Sequence, residues 1–316
     1  MMDFIKRQIR KTGQLTDIIP IAVFQSVLIA IFGTIIVMVL NKLLSIPKIL
    51  DFLTGDEAAS DFALQYFTSY GVWILVLLLV FLCKGNRKMW NALKYNGSGN
   101  SIKGLLIGTL LGFLTNGICV LFSWLLGDIK LSFNGFDFRC ILVFLIAVFI
   151  QAGSEELVER FYLYQKLRRR YISPLVAIIV NSLVFTGMHA FNQGFSFFGA
   201  LQIFTVAIVL SLLVYYYDAL WAAMALHMGW NFTQSIIFGL PNSGVVSAYS
   251  IFTLEAASAR NGFFYNVNFG VEGSIGSSLV LMVLGFIIWY INRGKKEKND
   301  IWAEDELALI QQESQQ

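Results

Sequence analysis

Residues 138–170 read FRCILVFLIAVFIQAGSEELVERFYLYQKLRRR, an apolar run that passes through three glutamates and an arginine before it stops at a basic cluster. A helix needs roughly 20 mostly apolar residues to cross a hydrocarbon core of about 30 Å, and the stretch 138–165 is long enough. Ionisable groups inside such a span are costly and usually functional. One segment therefore sets both the fold class and the place to look for chemistry.

Outward from it, comparable spans fall at 18–41, 62–83, 104–126, 172–191, 196–214, 219–239 and 274–292. The length of the 138–165 span predicts tilt or a break near Gly153. Composition agrees: 57% of residues are hydrophobic and 14% charged, where a soluble domain carries about a quarter charged. The expected fold is all-α, a polytopic membrane bundle of about eight transmembrane helices. Divided along the chain, this gives N-terminal membrane helices (1–137), a core with the polar motifs (138–240), an external loop with the last helix (241–292) and a tail (293–316).

Basic residues set the orientation. Lys6, Arg7, Arg10 and Lys11 precede the first span; Lys84, Arg87, Lys88, Lys94 and Lys103 lie between the second and third; Lys166, Arg168, Arg169 and Arg170 follow the fourth; Arg293, Lys295, Lys296 and Lys298 follow the last. The alternate loops are poor in Lys and Arg, so both termini are expected to be cytoplasmic and the number of spans even. The first apolar run is too long for a signal-peptide core and is read as a retained helix. The partners implied are membrane lipids; a net charge of +3 without a basic stripe excludes nucleic acid. Cys83, Cys119 and Cys140 show neither metal nor disulfide spacing. Gly104, Gly108 and Gly112 make a smooth ridge that favours close packing within the chain over a dimer seam. Asp218 reads as a helix N-cap, and the polar tail beyond Lys298 as a frayed helix or disordered segment.

Within the 138–165 span, Glu156 and Arg160 are i, i+4 neighbours that can form a structural ion pair. Glu155 is left without a partner, the setting in which a general base is made. The chain's two histidines, His189 and His227, both fall in later apolar helices. Asn181, Phe185 and His189 share one helix face, and His227, Asn231 and Gln234 make another polar stripe. Glu155, His189 and His227 could hold zinc or another divalent metal that activates water. Alternatively Glu155 and His189 could activate water directly, with His227 and Asn231 stabilising the oxyanion. The metal-free scheme is preferred, because the chain has no H-E-x-x-H and no acidic partner four residues from either histidine.

Glu155-Glu156-Leu-Val-Glu-Arg160 resembles the E-E-x-x-x-R motif of the CPBP intramembrane endopeptidases, the family of CAAX prenyl proteases and bacteriocin-processing or immunity (Abi-type) proteins. Phe185-Thr-Gly-Met-His189 and His227-Met-Gly-Trp-Asn231 are similar to that family's F-x-x-x-H and H-x-x-x-N, in the same order. The resemblance covers roughly 138–240. It implies an eight-helix bundle that hydrolyses a membrane-associated peptide or protein, in a bacterial cell membrane. It also implies that Glu155 and His189 activate water, that His227 and Asn231 stabilise the oxyanion, and that Glu156 and Arg160 support them. Two competing readings are a non-catalytic immunity protein and a proton-coupled transporter. The transporter should show matching broken helices in two halves, whereas here the ionisable residues sit in the second half.

Overall fold

In the computed structural model, which describes residues 9–315, the apolar runs are helices. α1 (Ile19–Leu44) leads through the short α2 (Ile46–Thr54) to α3 (Glu57–Phe67) and α4 (Tyr70–Leu82), and the last two make one crossing. α5 (Ile102–Leu125) precedes α6 (Phe138–Glu156), which continues through a π-helical stretch, Leu157–Leu163, into α7 (Tyr164–Arg170). Next come α8 (Pro174–Met188), α9 (Phe197–Tyr217), α10 (Leu220–Phe232) with a π-helical extension (Thr233–Ile237), α11 (Ile275–Asn292) and α12 (Ala303–Ser314). Two of the connections, α5–α6 and α10–α11, meet in a two-stranded antiparallel ribbon, β1 (Leu131–Phe133) against β2 (Phe252–Leu254).

Among the described residues, seven helical segments are long and apolar enough to cross a membrane. α10 is not among them, since His227, Asn231 and Gln234 dilute its hydropathy. It is the helix the others enclose: apart from Trp221, every residue from Leu220 to Phe232 is buried. A helix that meets protein on all sides does not need an apolar surface. Near the two ends of the chain, Arg10 pairs with Asp300 and Lys11 with Glu313. The crossings are therefore even in number, and α10 is the eighth.

Polarity runs inside out relative to a soluble bundle. Phe24, Met38, Leu106, Leu110, Val283 and Phe286 are exposed where lipid would lie, while polar pairs are buried. The Asn116 amide donates to Gln234 Oε1 at 2.8 Å, and the Ser211 hydroxyl to Asn181 Oδ1 at 3.1 Å. Such bonds hold membrane helices together where the hydrophobic effect gives no preference for helix over lipid.

The glycine ridge packs within the chain. Gly108 lies against the Ala222 backbone and Gly112 against Leu226, both on α10, while Gly229 of α10 faces Thr109 in return. A methyl group at position 108 would meet the Ala222 carbonyl oxygen. Gly108→Ala is expected to destabilise the protein by about 1–3 kcal/mol through overpacking. Its oligomeric state by size exclusion should not change; a variant that melts like wild type but changes its assembly would restore the dimer seam.

The break in the α6 crossing lies at Leu157–Leu163 and not at Gly153. Gly153 is instead where Trp73 seats, with its indole N–H donating to the Ile150 carbonyl at 2.8 Å. π-helical turns often accompany functional sites, and this one begins directly after Glu155 and Glu156.

At the end of the bundle that carries both termini, the basic clusters are tied together by carboxylates. Asp17 accepts from Arg169 at 2.6 Å and lies 3.2 Å from Lys166. Arg168 reaches Glu297 at 2.5 Å and Asp300 at 3.1 Å. Burial pushes the Glu297 carboxyl above its ordinary pKa, and Arg168 pulls it back. Lys6 and Arg7 lie outside the described residues. Of the two forms expected for the tail, the helix is the one found: Ile301 and Trp302 are buried, the Trp302 indole donates to Gln165 Oε1 at 3.2 Å, and the exposed α12 follows. Two apolar residues in a polar segment were enough to anchor it. Asp218 is not an N-cap. It ends α9 in a left-handed conformation (φ 52°), and its carboxylate accepts from the amides of Asn96 and Asn299. Burial raises its pKa, against these two bonds.

Candidate active site

Three helices converge on one polar cavity of about 370 Å³, lined by Glu155 and Gln151 of α6, Phe185 on α8 with His189 just beyond its end, and His227 and Asn231 of α10. The i, i+4 spacing within each helix points both members of each pair the same way. All four residues that the sequence places in catalysis, Glu155, His189, His227 and Asn231, share this wall. Asn181 and Gln234, on the same stripes, do not: they serve the packing bonds above.

The supporting pair also forms. Glu156 and Arg160 are fully buried and joined at 3.1 Å, and the guanidinium lies 4.3 Å from the centre of the Phe185 ring. Glu156 Oε1 has a second partner, His227 Nδ1, at 2.9 Å. Because a carboxylate can only accept, Nδ1 carries the proton and Nε2 of a neutral His227 is left basic. The acidic partner that the sequence lacked four residues from either histidine is thus supplied across helices. His189 is oriented in a parallel way, with Nδ1 donating to the Phe185 carbonyl at 2.8 Å.

Glu155 is held by one oxygen only. Gln151 Nε2 donates to its Oε1 at 2.6 Å, and Asn231 Nδ2 donates to Gln151 Oε1 at 3.3 Å, so one amide links the carboxylate to Asn231. Glu155 Oε2 has no hydrogen-bond partner and lies 3.7 Å from His227 Nε2. The nearer imidazole is therefore His227, whereas the resemblance pairs Glu155 with His189. α7 extends the α6 crossing to Arg170, so Glu155 and His189 each lie roughly 22 Å along their helices from the basic end.

The donor types suit a metal, with Nε2 uncommitted on both histidines and Oε2 on Glu155. Their arrangement does not fit one: among the described residues no group of three His, Cys, Asp or Glu side chains is set closely enough to hold an ion.

Sequence reading missed much of the cavity wall. Tyr66 of α3, Gln202 of α9, and Asn242, Ser243 and Glu272 from the connection between α10 and α11 all line it. Glu272 is 5% exposed and accepts from the Trp230 indole at 3.1 Å, the Ser243 amide at 2.7 Å and the Ser243 hydroxyl at 2.9 Å. Burial raises its pKa, and the Ser243 bonds oppose the shift. No helical period announces these residues, because they sit on loops or on helices without a motif. Glu159, an unassigned position of the E-E-x-x-x-R motif, is 1% exposed with neither oxygen hydrogen-bonded, and lines a smaller cavity of about 170 Å³ next to Glu155 and His189. The main cavity is roofed by residues 192–193, 242–245 and 272, at the end of the bundle away from both termini.

Compared with known proteins, residues 137–233 match the family described as type II CAAX prenyl endopeptidase Rce1-like. The matched segment runs from the start of α6 to the end of α10 and includes every motif residue named above. No curated protein and no solved structure matches the chain.

Proposed function

We propose that this chain, a membrane protein whose residues 137–233 match the Rce1-like CAAX prenyl endopeptidase family, hydrolyses a membrane-associated peptide with water activated by Glu155. The observation that carries this reading is the carboxylate itself: one oxygen fixed by Gln151, the other unpartnered and facing a basic imidazole nitrogen across a polar cavity. A water in the cavity hydrogen-bonded to both Glu155 Oε2 and His227 Nε2 gives its proton to Glu155 as its oxygen attacks the scissile carbonyl. The tetrahedral oxyanion is met by Asn231, whose amide is already in the cavity, and by His227 once Nε2 has taken that proton over from Glu155 Oε2. The carboxylate of Glu156 stabilises that imidazolium, as an aspartate does in a Ser-His-Asp triad. The same proton then goes to the leaving amine, relayed through Nε2 of His189 as the second imidazole on the wall, and the C–N bond breaks. No step runs through a metal.

This reading also gives the site a side. With the basic clusters cytoplasmic, the roofed end of the cavity faces the opposite side, and the substrate is a peptide presented there. A membrane-impermeant maleimide applied to intact cells is expected to label Ala248→Cys, in the exposed part of the roof loop, and not the native exposed Cys83. The reverse pattern would invert the topology.

Bacteriocin processing is one role that suits such an enzyme, and self-immunity through peptide cleavage another. The experiment that tests the proposal is cleavage of a synthetic peptide library by purified protein, with and without a strong chelator. Chelator-resistant cleavage is expected. Stoichiometric zinc, with chelator inactivation reversed by zinc, would instead assign Glu155, His189 and His227 as metal ligands.

A further inference from the structure

Glu272 is a carboxylate on the wall of the catalytic cavity for which the described residues supply no Lys or Arg partner; the one base that acts on its charge is His189, on the same wall. All three of its partners, the Trp230 indole, the Ser243 amide and the Ser243 hydroxyl, are neutral donors. That set orients an ionised carboxylate without neutralising it. No Lys or Arg side chain lines the cavity, whose other carboxylate is Glu155. A buried carboxylate without a permanent counter-ion is costly to ionise, which is why burial raises its pKa, and its open side is the cavity, where a cation would offset that cost.

Two further groups on the same wall are incomplete. Gln202, 1% exposed, has an Oε1 with no hydrogen-bond partner, and Asn242, 8% exposed, has an unpartnered Nδ2. Each lines the cavity. As placed, the two side chains leave the wall with one buried acceptor, Gln202 Oε1, and one buried donor, Asn242 Nδ2. A peptide main chain offers one donor and one acceptor per residue and would satisfy both.

We infer that Glu272, Gln202 and Asn242 form the substrate-recognition subsite, which binds the main chain of a peptide carrying a positively charged amine or guanidinium close to the scissile bond. The inference rests on the peptidase reading for the identity of that bond, and on the cavity wall for the charge. Glu272 also ties the roof to α10 one residue before Asn231, because Trp230 and Ser243 bond the same carboxylate. Filling the subsite therefore bears on the segment that carries the oxyanion donor. The cation can come from a Lys or Arg side chain or from the peptide's own N-terminal ammonium; both present the same N–H donors to the carboxylate.

The test uses full-length protein in lipid nanodiscs and matched synthetic peptides that differ at one position, Lys against norleucine, each with a free or an acetylated N-terminus. Cleavage by wild type is read as a ratio of kcat/KM, and binding to the Glu155→Gln protein as a ratio of Kd. The cationic member of a pair is expected to be preferred about tenfold or more in both, a size typical of a hydrogen bond to a charged group. E272Q should bring the ratio close to one. Loss of preference on acetylation alone identifies the N-terminal ammonium as the ligand, and loss on norleucine substitution alone identifies the side chain. Equal treatment of charged and neutral peptides by wild type overturns the inference whether or not E272Q folds, and so does a preference that E272Q leaves intact. Charge-selective binding without any cleavage overturns the peptidase reading and leaves the subsite standing.

Discussion

Glu155→Gln is expected to lower kcat for peptide cleavage by about 10²–10⁴-fold while the protein inserts and accumulates as wild type does. The glutamine keeps the shape of the side chain and can still accept from Gln151, so packing is little changed. What is lost is the basic oxygen facing His227. Because the removed interaction is made in the transition state, kcat and kcat/KM should fall together, with KM little altered. His227→Ala and His189→Ala should fall comparably if the two imidazoles orient water and return its proton. A Glu155→Gln protein with full activity would remove Glu155 from the reaction.

Arg160→Ala is expected to act on the protein before it acts on the chemistry. Arg160 and Glu156 are both fully buried, and Glu156 would lose the one permanently charged partner it has among the described residues. Breaking a buried pair from one side costs about 3–5 kcal/mol, because the remaining charge is stranded. His227 would also lose its fixed orientation, since its Nδ1 partner is that same carboxylate. Low yield, a lowered melting temperature and lost activity should appear together. The double variant Arg160→Ala with Glu156→Gln should recover part of the stability but none of the activity, which separates the two roles. A single variant that melts like wild type would show that the pair contributes nothing to the fold.

The fold could be read from the sequence where one physical requirement dominates. Apolar runs near 20 residues, with basic clusters alternating between them, leave little choice but a helical bundle with an even number of crossings. The same scarcity of polar residues made the core of the site legible: Glu155, Glu156, Arg160, His189, His227 and Asn231 stand out because hydrocarbon tolerates so few like them. Residues that act through loops or between distant elements did not stand out. Glu272 precedes α11 in a polar connection where a carboxylate is unremarkable, and only the meeting of Trp230 and Ser243 on it gives it a place in the cavity. The acidic partner of His227 was sought along its own helix and lies on α6 instead. The docking of the tail does not show in the sequence because Ile301 and Trp302 are too few to form a pattern, although both are buried. The π-helical stretch after Glu156 left no mark on residue spacing that could set it apart from an α-helix.

The most direct measurement is cleavage of a peptide library by purified wild-type and Glu155→Gln protein in water enriched in heavy oxygen, read by mass spectrometry. The account predicts defined cleavage by wild type, with one heavy oxygen incorporated into each new carboxyl terminus, and cleavage at least about 10²-fold slower with Glu155→Gln. Wild type that cleaves nothing, or two proteins that cleave at the same rate, would contradict it.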